Sequence, residues 1–178
     1  QRQMCIRDSI NTAFTVNDSA QAILEIQDAE LFFNNKRWTI DNNNDNPILV
    51  ATSTSDFAFS NLNFMTETSA ITADASQKGS DSFNIDVKFS NVYMNDLLSF
   101  QKNRWEGIVN GFLNIRQSPA GFGGNSNLHL SDLALNDVPL GEAALKLQSN
   151  KDNQDYQLAL QIADDGKDVL LATGTIGI

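Results

Sequence analysis

Four segments of this chain share one apolar rhythm: a step of two residues, then three, then two. They are Leu24-x-Ile26-Gln27-Asp28-Ala29-x-Leu31, Phe57-x-Phe59-Ser60-Asn61-Leu62-x-Phe64, Val87-x-Phe89-Ser90-Asn91-Val92-x-Met94 and Leu128-x-Leu130-Ser131-Asp132-Leu133-x-Leu135. Successive copies start 33, 30 and 41 residues apart. A step of two belongs to a half-buried strand, whose neighbouring side chains point to opposite faces. A step of three would send the second apolar pair to the wrong face of a flat strand. Both pairs reach one core only if the strand gains a residue at the Asx step. That is a β-bulge, and Asn or Asp tolerates the left-handed backbone there. The expectation is a strand kinked once at Asx as it crosses a curved sheet. The alternative is four short strands ending in Asx turns.

Period-two alternation fills much of the remaining chain, at residues 13–16, 22–26, 31–40, 48–51, 70–73, 143–147, 156–162 and 169–176. The best-formed stretch is residues 105–141, WEGIVNGFLNIRQSPAGFGGNSNLHLSDLALNDVPLG. It reads as a strand, a Gly/Pro-rich hairpin and a second strand, with Leu140-Gly141 handing the chain on. Asp41-Asn42-Asn43-Asn44-Asp45-Asn46-Pro47 reads as a turn, and residues 150–153 and 164–167 (DDGK) as hairpin turns. Residues 95–103 form the one candidate helical turn, with Asn95 as its cap. Asn110-Gly111 is either a turn or a place of close approach. The fold class is all-β and mostly antiparallel: a sandwich, a barrel or a curved open sheet.

A chain of 178 residues supports one core. The formal net charge of -10 argues against nucleic acid or an anionic membrane surface as the main partner, since both demand clustered Lys and Arg. The one cysteine, Cys5, excludes an internal disulfide framework. It lies in QRQMCIRDS, which looks like translated adapter sequence, so residues 1–9 are expected to be a non-native leader. Residues 10–178 are then one elongated β segment of a longer protein. No apolar run reaches 18 residues, so no helix is expected to span a bilayer.

The side chains that carry catalysis are scarce. His129, between Leu128 and Leu130 on the opposite face, is expected to meet solvent. A single His and a single Cys cannot assemble the usual zinc ligand set, and the serines lack an activating context. The 41–45 run lacks the glycine and the acidic residue of a calcium loop, with Asn46 and Thr52 in those places. The acidic pairs Asp152/Asp155 and Asp164/Asp165 sit in expected turns. No enzyme activity, cofactor or metal is expected.

In order along the chain, several stretches resemble the translocation and assembly module B (TamB) family, within the AsmA-like repeating β-groove group, in its Bacteroidetes-type form. They are Trp38-Thr39-Ile40 before an Asn-rich turn, the strand-then-helix unit at 83–100, and Trp105-Glu106-Gly107-Ile108-Val109-Asn110-Gly111. Residues 127–135 followed by Val138-Pro139-Leu140-Gly141, and then Ala172-Thr173-Gly174-Thr175-Ile176, complete the set. The likeness spans residues 10–178. The family's N-terminal anchor and extreme C-terminal region have no counterpart in these residues.

The resemblance implies a taco-like open groove or partial barrel, periplasmic, in a protein anchored in the inner membrane of a Gram-negative bacterium. Its implied partners are phospholipid acyl chains and, through other parts of such a protein, an outer-membrane β-barrel assembly protein. Its implied role is phospholipid transport or outer-membrane assembly. Alternation proposes the groove lining: Phe83, Ile85, Val87 and Phe89, then Leu128, Leu130, Leu133 and Leu135, then Leu145, Leu147, Leu158 and Leu160. Two rival readings are a secreted binding or adhesive β-module with a closed core and a carbohydrate-active β-sandwich enzyme. The enzyme would need paired buried carboxylates.

Overall fold

Alternating apolar and polar residues become twelve strands and a single helical turn among the residues described by the computed structural model. It describes residues 8–18, 21–33, 36–40, 48–53, 56–98, 101–119, 121–150 and 155–177. In chain order these are β1 (Asp8–Val16), β2 (Ala22–Phe33), β3 (Lys36–Ile40), β4 (Ile48–Ser53), β5 (Asp56–Met65), β6 (Ala70–Gln77) and β7 (Phe83–Tyr93). There follow α1 (Met94–Leu97), β8 (Trp105–Ser118), β9 (Gly121–Leu135), β10 (Val138–Ser149), β11 (Asp155–Asp164) and β12 (Lys167–Gly177).

All twelve strands belong to one antiparallel sheet that follows chain order and does not close into a barrel. β1 and β12 form its edges. The one departure is instructive. β3 and β4 both lie between β2 and β5 and run the same way, so together they fill one strand position. The expected turn at 41–47 lies between them and outside the described residues, as do positions 151–153 of the expected turn at 150–153. Residues 31–40, expected as one strand, belong to two: β2 ends at Phe33 and β3 pairs back on it, Leu31 opposite Trp38.

The Asx bulges are present. In β5, Ser60 and Asn61 together oppose Asp74 of β6, between the pairs Phe59–Ala75 and Leu62–Ala73. In β7, Ser90 and Asn91 oppose Asn110 of β8. In β9, Ser131 and Asp132 oppose Glu142 of β10. Asn61, Asn91 and Asp132 have φ of 58, 51 and 53°, the left-handed conformation that Asx tolerates best after glycine. Two bulges share a bonding scheme: the Asn61 N–H donates to Asp74 Oδ1 and the Asn91 N–H to Asn110 Oδ1, each at 2.9 Å. A polar side chain on the next strand thus satisfies the amide that the bulge takes out of the ladder. In the first copy the register of β2 slips at Gln27, between Thr12–Ile26 and Asn11–Asp28. Bulges therefore recur at alternate strand positions across two thirds of the sheet.

Three expectations about local structure resolve. DDGK is a two-residue hairpin loop, with Asp165 and Gly166 both at positive φ. Asn110-Gly111 is a close approach within β8, since a Cβ on Gly111 would collide with the Asn127 carbonyl. The helix is one turn, Met94–Leu97, and Tyr93 stands at its N-cap without a side-chain bond, so Asn95 is inside the turn and does not cap it. Residues 101–103 are bends.

Only nine apolar residues are classed as buried among those described: Ala29, Trp38, Ile40, Ala75, Val92, Val109, Leu133, Ala143 and Tyr156. The chain exposes 11820 Å², against roughly 8,600 Å² for a compact monomer of the same mass. A single layer has only one apolar face to hide, and among the described residues no second sheet closes over it.

Candidate functional site

Residues paired directly across an antiparallel ladder share a face, so the register carries the apolar surface from strand to strand. Phe83, Ile85, Val87 and Phe89 stand opposite Gln77, Ala75, Ala73 and Ile71 on one side. On the other they stand opposite Gln117, Ile115, Leu113 and Gly111. Leu128 and Leu130 meet Gly111 and Val109 on β8 and Leu145 and Ala143 on β10. Leu145 and Leu147 meet Leu160 and Leu158. The bulge at Ser131-Asp132 returns Leu133 and Leu135 to this face, opposite Gly141 and Trp105.

All twelve residues singled out by alternation therefore lie on one surface. Leu133 is buried; the others are half-buried, except Ile85, which is more open. The sheet's opposite surface carries Asp86, Lys88, Asn127, His129 and Lys146, all exposed. His129 is on that outer side as expected, with Nε2 3.6 Å from Glu142 Oε2.

The apolar surface is covered at one end. Ile40 pairs with Phe64, and Phe64 with Ile71, which places Ile40, Trp38 and Lys36 on the same face. Lys36 Nζ reaches Asp96 Oδ2 at 2.7 Å and lies 4.0 Å from the Tyr93 ring centroid. The helical turn α1 must then lie over this face and bridge toward β3. Beneath it Trp38, Ile40, Val92 and Val109 are buried, and Asp96 is 1% exposed. Nothing in the sequence signals this contact, because its partners are 60 residues apart.

A second feature sits on the opposite surface. Over β8–β12 an open trench of about 780 Å³ runs across the strands. Its side-chain walls come from the polar face, while Ser126, Leu147, Leu158 and Gly174 supply backbone to its floor, the first three with their side chains on the other face. Alternation marks these positions only as the polar side of their strands, so the concavity is not legible in the sequence.

Among the described residues no group of three or more His, Cys, Asp or Glu is placed to hold a metal ion. No described helix is long and apolar enough to cross a membrane. Compared with protein-family models, curated proteins and solved structures, the chain matches none.

Proposed function

We propose that this chain is a segment of a TamB-like envelope protein that shields lipid acyl chains along its apolar face, in phospholipid transport or outer-membrane assembly. One observation carries the reading. An apolar surface runs unbroken from β5 to β12, and no second sheet covers it among the described residues. A secreted adhesive module with a closed core would need such a second layer.

Magnitude supports the use. Each methylene taken from water is worth about 0.8 kcal/mol, so a sixteen-carbon chain opposes crossing water by roughly 12 kcal/mol. A continuous aliphatic surface lowers that barrier without any catalytic group. The bulges add a geometric argument, because each one bends its strand and increases local twist. Repeated at alternate positions, they curl a sheet lengthwise.

The test is photo-crosslinking of the purified protein with a phosphatidylcholine carrying a diazirine in its acyl chain. Crosslinks are expected at Leu128, Leu130, Leu145 and Leu158. Leu130→Asp and Leu158→Asp, both half-buried and therefore tolerant of folding, should remove most of the signal. Equal crosslinking in wild type and both variants would sink the reading.

A further inference from the structure

The polar trench contains a row of side chains directly opposed across four strands: Asn125, Gln148, Gln157 and Thr175. A parallel row two residues away starts at Phe112 and runs through Lys146 to Thr173. Elsewhere on this surface, polar side chains bond one another. Thr72 donates to Asn63, Asn114 donates to Asn84 and Asp86, and Gln161 donates to Asp168. The carboxamides of Asn125, Gln148 and Gln157 make no side-chain hydrogen bond among the described residues, although the ladder sets them face to face. All three line the hollow. Phe112 is 41% exposed at one corner, and Ala159 keeps the floor low.

This lining has a definite chemical complement. A carboxamide offers an acceptor and two donors in one plane, which matches vicinal hydroxyls that each donate and accept. An exposed aromatic ring offers an apolar platform for the C–H face of a pyranose. Lys146 is the one ionisable group in the lining, and the chain's net charge of -10 repels polyanions. Three strand spacings give a length of about 14 Å, room for roughly three hexose rings.

We infer that the trench binds a neutral oligosaccharide laid across β9–β12, on the face opposite the proposed lipid surface. Titration of the purified protein with maltohexaose, cellohexaose and chitohexaose, followed by calorimetry, tests this. At least one should saturate, with affinity unchanged between low and high salt. Gln157→Ala and Gln148→Ala, both exposed, should each weaken it about tenfold by removing two uncharged hydrogen bonds. Melting temperature and acyl crosslinking should stay as in wild type, which separates this site from the lipid reading. No saturation with any of the three sugars, or equal affinity in the variants, overturns the proposal. So does salt-sensitive binding of polygalacturonate in preference to them, since that would assign the trench to Lys146 and a polyanion.

Discussion

The two ends of the apolar face are held by different physics. Under α1, Val92 is fully buried, Trp38, Ile40 and Val109 nearly so, and a lysine–aspartate pair pins the covering turn. Across β9–β11 the same face buries Leu133, Ala143 and Tyr156, but Leu128, Leu145, Leu158 and Leu160 among them are only half-buried. The first region resembles the core of a small domain. The second combines its backbone ladders with side-chain contacts made sideways along a single layer, and leaves most of its leucines partly open. Stability and availability are thus separated along one surface, and the open part is the one that suits a ligand.

Substitutions can break or sharpen this contrast. The largest effect is expected from Gly111→Ala in the ladder-held region. The new Cβ would strike the Asn127 carbonyl at a φ of 126°, which should cost about 3 kcal/mol in chemical unfolding. A near-neutral result would mean that the β8–β9 ladder is not what holds this region. Next comes Lys36→Met at the covered end. It leaves the Asp96 carboxylate buried and unpaired, and its Oδ1 already has no hydrogen-bond partner among the described residues. A loss of about 2–3 kcal/mol is expected, and Lys36→Met/Asp96→Leu should recover much of it.

A matched pair tests the contrast itself. Val92→Ala should cost about 2 kcal/mol and Leu158→Ala about 1 kcal/mol, although leucine loses more atoms, because only Val92 leaves a cavity. Equal or reversed losses would erase the distinction. The smallest effect concerns the bulge. Asn91→Ala should cost about 1 kcal/mol at its left-handed φ, and Asn91→Gly only a few tenths; the difference between the two melting curves is the readout.

Much of this architecture was legible. Period two identified the strands, and the step of three located bulges at Asn61, Asn91 and Asp132, because pleat phase and left-handed tolerance are local properties. The twelve apolar positions fell on one face for the same reason. Three features were not legible. The break between Phe33 and Lys36 was hidden because apolar residues continue on both sides of Asn34-Asn35, so alternation alone ran the two strands together. The sharing of one position by β3 and β4 depends on what β2 and β5 leave unpaired. The Lys36–Asp96 pair and the trench arise where distant strands meet, and a polar row reads as ordinary solvated surface until its register is known. The short helix expected near residues 95–103 is present as the single turn Met94–Leu97, where Leu97 and Leu98 interrupt the alternation.

Because every described strand pairs with a near neighbour in sequence, no strand pairing among the described residues ties the first strands to the last. The mean loop that folding must close is a single hairpin, which favours quick, stepwise growth. Mechanically, the sheet behaves as a zip. Drawn apart by its two ends, it should release edge strands one at a time at modest force, with a final resistance where α1 clasps β3.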